Sequence, residues 1–247
     1  MSAARTIVTS SRPLTPPEIV TVLSASRQAI AGKICKLGFG PVAPGPIVLM
    51  GADGRPLLMR AESGYDFGGV GFTSSDGKTV RTETSGHVDV ITVTRYTREP
   101  AKKCDGTDLG AELVFEYEHK STTGQWTATA RTWTDHEFFA PIFNVLSGVT
   151  PVESGNLSRV VGSTARAFSA PFTLPAGAQA ASPELQSRMR QSLLIDTTSL
   201  LPLRWLVGVP ANPAAGTPAF DYPTVFTCDA VRELQTPEGI AAPTCVR

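Results

Sequence analysis

Apolar residues recur at helical spacing in two stretches of the chain. In the first, Ile19, Leu23, Ile30 and Ile34 form a stripe, with Val22 and Ala29 beside it. Thr15-Pro16-Pro17-Glu18 opens it with a capping residue, prolines that suit the first helical turn, and an acid placed to complete a capping box. The pattern predicts a helix over residues 16–33. In the second, Phe138, Ile142 and Leu146 share a stripe, with Phe139 and Phe143 next to it. Thr134-Asp135-His136-Glu137 opens this stretch and Ser147-Gly148 closes it, which predicts a short inner helix over 135–147.

Elsewhere the pattern is that of strands. Runs rich in Val, Thr and aromatic residues at 47–50, 56–61, 78–84, 87–98, 109–120 and 125–133 are divided by polar turns such as Asp53-Gly54 and Ser121-Thr122-Thr123-Gly124. Strands resume over 158–172, 191–196, 203–209 and 222–230, with Pro/Ala/Gly-rich loops at 175–183 and 210–218. Neighbouring strands joined by short turns argue for an antiparallel meander. The expectation is a mainly β fold: a curved antiparallel sheet or half-open β-barrel with an N-terminal helix and a short inner helix. Residues 1–14 are polar and rich in Ser, Thr and Arg, and are expected to be poorly ordered. Residues 15–247 read as one domain.

Composition narrows the class. Lys plus Arg and Asp plus Glu both number 22, so the formal charge is zero. That argues against a dedicated nucleic-acid binder, which needs a basic surface to displace counterions. No apolar run approaches the ~20 residues that span a bilayer as a helix. Oligomeric state is not readable.

The four cysteines, Cys35, Cys104, Cys228 and Cys245, form no Cys-x-x-Cys pair, so a zinc or thioredoxin-type site is not indicated. An even count at wide spacing suits two disulfides in an oxidising compartment. Of the three pairings, Cys228 with Cys245 closes a short loop, which leaves Cys35 with Cys104. Four buried thiols in a cytosolic protein is the alternative. The first 15 residues contain no apolar signal-peptide core, so a periplasmic or extracellular location implies a signal removed earlier.

Catalytic motifs are sparse. There is no Gly-x-Ser-x-Gly, His-Glu-x-x-His, P-loop or dinucleotide fingerprint, and no metal or cofactor is expected. Glu116 and Glu118 fall on one face of a predicted strand and Tyr117 and His119 on the other. Two carboxylates on one face of a β-lined cleft suit glycoside hydrolysis. His87 and Asp89 share a face and can orient each other. His136, between Asp135 and Glu137, stands where a helix dipole favours acids. An enzyme of this chain would draw on Asp89, Glu116, Glu118, His119 and His136. Trp126, Trp133 and Trp205 lie on predicted strands, where they either stack on a ligand or pack.

The stretch Gln191-Ser192-Leu193-Leu194-Ile195-Asp196-Thr197-Thr198-Ser199-Leu200-Leu201-Pro202-Leu203-Arg204-Trp205 resembles a recurrent hairpin of the LolA-like family of periplasmic lipoprotein carriers and secreted lipid-binding proteins. The order of elements agrees as well. The resemblance implies a half-open barrel whose concave face holds an acyl chain under a helical lid. Trp133, Phe138, Phe139, Ile142, Phe143 and Leu146 would then line the ligand site. The expected function is a secreted or periplasmic carrier of a hydrophobic, lipid-like ligand. The alternative is a secreted hydrolase or lyase acting on a polysaccharide or small molecule.

Overall fold

A computed structural model of the chain describes residues 2–39, 45–75, 78–133, 144–146, 152–160, 162–172, 183–209, 220–228 and 234–247. The fold is mainly β. It contains one antiparallel sheet of eleven strands in the order β6-β5-β4-β3-β2-β1-β11-β10-β9-β8-β7, which is not closed into a barrel. The strands are β1 (Ile34–Phe39), β2 (Ile47–Met50), β3 (Pro56–Ser75), β4 (Lys78–Lys102), β5 (Asp108–Lys120), β6 (Trp126–Thr132), β7 (Glu153–Val160), β8 (Ser163–Pro171), β9 (Arg190–Asp196), β10 (Pro202–Val209) and β11 (Phe220–Cys228). Two meanders, β1–β6 and β7–β11, meet where β1 pairs with β11.

Helix α2 (Pro16–Ile30) forms where the sequence places it. The Glu18 carboxylate accepts the Thr15 N–H at 2.8 Å, and Arg12 holds the same carboxylate at 2.7 Å. That guanidinium, with the Thr15 backbone bond, lowers the Glu18 pKa to about 2. The helix stops at Ile30, short of Lys33, because Gly32 turns the chain with φ +74° and its N–H goes to the Met50 carbonyl of β2 instead.

The strands at 56–61 and 78–98 are longer than their sequence pattern predicts. β3 and β4 pair continuously from Leu58↔Arg95 to Ser75↔Lys78, so the Gly-rich segment 66–71 is part of a strand. Glycine weakens a strand, but a continuous antiparallel partner satisfies its backbone groups anyway. The β5–β6 hairpin closes at Gly124, with φ +63°. At the β9–β10 turn, Asp196 accepts the N–H groups of Thr198 and Ser199 at 2.9 and 2.6 Å, and Leu200 takes φ +65°. A short α3 (Pro183–Arg188) precedes β9.

Two expectations are corrected. The N-terminal stretch is ordered: Ser2–Val8 forms α1, and Ala4 and Val8 are buried. Arg166 of β8, itself buried, donates to the carbonyls of Val8 (2.8 Å), Gly155 (2.9 Å) and Arg12 (3.2 Å), and also to Ser10. The clamp lies more than 150 residues away in sequence, so local composition gives no sign of it. The disulfides are Cys35–Cys228 and Cys104–Cys245, not Cys228–Cys245 and Cys35–Cys104. The reason is register: pairing of β1 with β11 sets Cys35 directly opposite Cys228.

The sheet is covered on both faces. On one, α1, α2 and a helical turn at 144–146 pack on Leu37, Val48, Met50, Phe168, Leu193 and Trp205 to form the main core. On the other, a smaller core of Val93, Ala101, Leu113, Phe115 and Tyr117 lies under Ile240, Ala242 and Val246 of the closing segment 234–247.

Candidate ligand-binding face

Strand periodicity decides which side chains reach the helix-covered face. Along β4 this face carries Val88, Val90, Thr92, Thr94 and Tyr96, and along β5 it carries Val114, Glu116 and Glu118. The main core on this face runs from Phe168 of β8 through Leu193, Trp205, Phe226, Leu37 and Val48 to Met59, Tyr96 and Val114, and Glu116 and Glu118 follow it along β5.

At that boundary stands Trp133, just after β6. Its ring meets Tyr96 edge-on at 4.7 Å between centroids, and the Arg55 guanidinium lies 5.2 Å above it. Arg55 also forms a two-pronged pair with Glu112 at 2.7 and 2.5 Å, which raises its pKa. Burial pushes the Tyr96 phenol far up, and its hydroxyl rests 3.8 Å from the Met59 sulfur. Leu146 is buried in the same core, so the helical turn 144–146 lies on this face. Gly54 lets these pieces meet. A Cβ there would lie 2.8 Å from Arg27 Cγ of α2 and 3.5 Å from the Leu146 backbone.

Of the six residues expected to line a ligand site, Trp133 stands at this corner and Leu146 is buried in the same main core. Phe138, Phe139, Ile142 and Phe143 lie outside the described residues. Tyr96 and Met59 complete the corner and were not singled out from the sequence. The alternation from Val88 to Tyr96 is the signal that places Tyr96 on the covered face.

The other tryptophans pack. Trp205 donates its indole N–H to Gln191 at 3.1 Å and meets Phe172 edge-on at 5.9 Å. Trp126 lies on the opposite face beside His119, at 5.3 Å.

The candidate acid-base residues are dispersed. Glu116 and Glu118 share one face, as their spacing predicts, but each faces a cation: Arg131 at 3.0 Å and Lys120 at 2.9 Å. His119 is on the other face. Asp89 Oδ1 accepts from Nε2 of the exposed His87 ring at 3.0 Å, the mutual orientation expected of that pair. His136 lies outside the described residues. Among the described residues, no three His, Cys, Asp or Glu side chains cluster as a metal site would require.

Two open clefts stand out among the described residues. One, of about 550 Å³, has a polar rim that includes Thr164, Asp196, Thr198 and Ser199, and it reaches the main core at Phe226 and Leu201. Its carboxylate is held by its own turn; although burial opposes it, bonds from Ser199, Ser163 and Thr198 leave the Asp196 pKa lowered. The other, of about 420 Å³, separates β6 from the closing segment. Neither is lined by Asp89, Glu116, Glu118 or His119.

Both cysteine pairs are bridged, as is usual in oxidising compartments. Among the described residues, no helix is long and apolar enough to cross a membrane. No protein-family model matches the chain, and no curated protein matches its sequence.

Proposed function

We propose that this chain is an extracytoplasmic carrier that holds an apolar, lipid-like chain against the helix-covered face of its open sheet, as the LolA-like resemblance of its Gln191–Trp205 hairpin implies. One observation carries the reading. The sheet stays open, α1, α2 and the turn 144–146 pack on one face, and a cleft with a polar rim reaches that buried layer at Phe226. A polar mouth over an apolar interior is the arrangement an amphiphile needs: the chain is removed from water and the head group stays wet. The Trp133–Tyr96–Met59 corner, in which Tyr96 and Met59 are buried, adds soft, polarisable side chains to that layer. The disulfides fit a periplasmic or extracellular setting.

The hydrolase alternative gains no comparable support, because its carboxylates face cations and line neither cleft.

Native mass spectrometry of the purified protein, followed by organic extraction, tests the carrier reading. A co-purifying acyl or isoprenoid species is expected, with saturable uptake of a fluorescent fatty acid that Leu146→Asp abolishes. A clean apo mass together with no fatty-acid uptake by the folded wild-type protein would refute it.

A further inference from the structure

The two disulfides sit in different surroundings. Cys35 is fully buried in the main core, in the middle of the sheet, and its partner Cys228 is half-buried at the edge of the 550 Å³ cleft. Cys104 is exposed on the turn that follows β4, and Cys245 is half-buried in the closing segment. Thiol-disulfide exchange needs an attacking thiolate to reach a sulfur, and of the four cysteines Cys104 is the exposed one, which makes its bridge the easier to attack.

Cys104–Cys245 also has a distinct mechanical role. The segment 234–247 lies across the outer face of β4, β5 and β6 with Ile240, Ala242 and Val246 on the smaller core. Beside the bridge, Val246 donates its N–H to the Lys102 carbonyl at 2.8 Å and accepts the Cys104 N–H at 3.1 Å. The packing there is incomplete, since the 420 Å³ cleft runs between Val246 and Pro243 on one side and Ala128 and Ala130 on the other. Among the described residues, Ile240, Ala242 and Val246, the two backbone bonds of Val246 and the Cys104–Cys245 bridge hold the segment beside a gap.

We propose that Cys104–Cys245 is a redox-released clasp: a dithiol reductant opens it, the closing segment leaves the sheet, and the apolar outer face of β4–β6 is uncovered. In the first step the reductant's thiolate attacks Sγ of Cys104. A mixed disulfide forms, and Cys245 leaves as a thiolate that takes a proton from water. The reductant's second thiol loses its proton and attacks its own sulfur in the mixed disulfide, expelling Cys104, which is protonated in turn. The protein gains two electrons and two protons, and the dithiol becomes a disulfide. Cys35–Cys228 stays oxidised and keeps the two meanders joined, so the rest of the fold survives. Release exposes Leu113, Phe115 and Tyr117, now buried under the segment. This device does not depend on the carrier reading.

The test uses the full oxidised chain, without denaturant, against increasing dithiothreitol. Alkylation with iodoacetamide and peptide mapping report each cysteine; hydrogen exchange reports the Val246 amide, and a hydrophobic dye reports the uncovered face. Cys104 and Cys245 are expected to be alkylated at reductant levels that leave Cys35 and Cys228 bridged. Loss of Val246 protection and a rise in dye fluorescence should accompany it. A Cys104→Ser, Cys245→Ser double variant is expected to show the same exposure with no reductant. Simultaneous reduction of both bridges overturns the proposal, as does resistance of Cys104–Cys245 to reduction. Alkylation with Val246 still protected also overturns it, and that result needs only the wild-type chain.

Discussion

Arg166→Met tests how the start of the chain is held. The wild-type guanidinium is buried and donates to the carbonyls of Val8, Ser10, Arg12 and Gly155. No carboxylate is among these partners, so the charge is stabilised by backbone dipoles. Burial pushes the guanidinium pKa down, with the nearby Arg12 adding to the effect, yet arginine keeps its proton. Methionine keeps an apolar stem of similar reach and removes every donor. Hydrogen bonds to a charged group contribute about 1.5–3 kcal/mol each, so four would total roughly 6–12 kcal/mol. The desolvation of the guanidinium, of several kcal/mol, offsets much of that. A second limit is local: residues 2–14 can detach, let their carbonyls find water and give up the burial of Val8 and Leu14, worth about 1.5–3 kcal/mol each before chain entropy is regained. The expected loss is therefore about 3 kcal/mol, the cost of undocking rather than of four broken bonds. At about 2 °C per kcal/mol for a chain this long, Tm should fall by about 6 °C. Hydrogen exchange gives the sharper assay: amides of α1 should lose protection while those in the middle of α2 and in β9 keep theirs. Unchanged protection of α1 with an unchanged Tm would refute the clamp. Loss of protection across the whole sheet would show that Arg166 supports the global fold instead.

Replacing Cys35 and Cys228 together by Ala releases a cross-link between residues 193 apart in sequence. Chain entropy assigns such a closure about 5 kcal/mol, read as a lowered denaturant midpoint with an increased m-value. The Glu18 pKa is depressed by Arg12, so its contribution to stability is fully present above the ordinary carboxylate range and is lost as pH falls from about 4.5 towards about 2. Glu18→Gln should flatten the acid limb of a Tm-against-pH profile in that window and leave the profile above pH about 6 unchanged in shape.

The features legible in the sequence are those set by neighbours along the chain. Thr15 and Glu18 read as a helix start because capping acts within one turn, and the structure pairs them at 2.8 Å. The β5–β6 and β9–β10 hairpins were legible for the same reason: Gly124 and the Asp196 turn each act over a few residues. Alternation placed Glu116 and Glu118 on one face and His119 on the other, since side-chain direction in a strand follows from backbone geometry alone. The fold class follows from these local choices taken together.

Tertiary structure decided the remainder. The pairing of Cys35 with Cys228 depends on the first strand meeting the last, a register no local pattern encodes. The polar stretch at the start of the chain is ordered because Arg166, on β8, reaches back to it, and because Val8 finds a core surface assembled from distant strands. The Gly-rich segment of β3 is a strand because β4 lies beside it, not because its residues favour one. The Trp133 corner exists because Tyr96, Met59 and Arg55 meet there from separate parts of the chain. In each case the deciding contact joins residues far apart in sequence, and its energy is gained only after the whole sheet has closed the long loops between them.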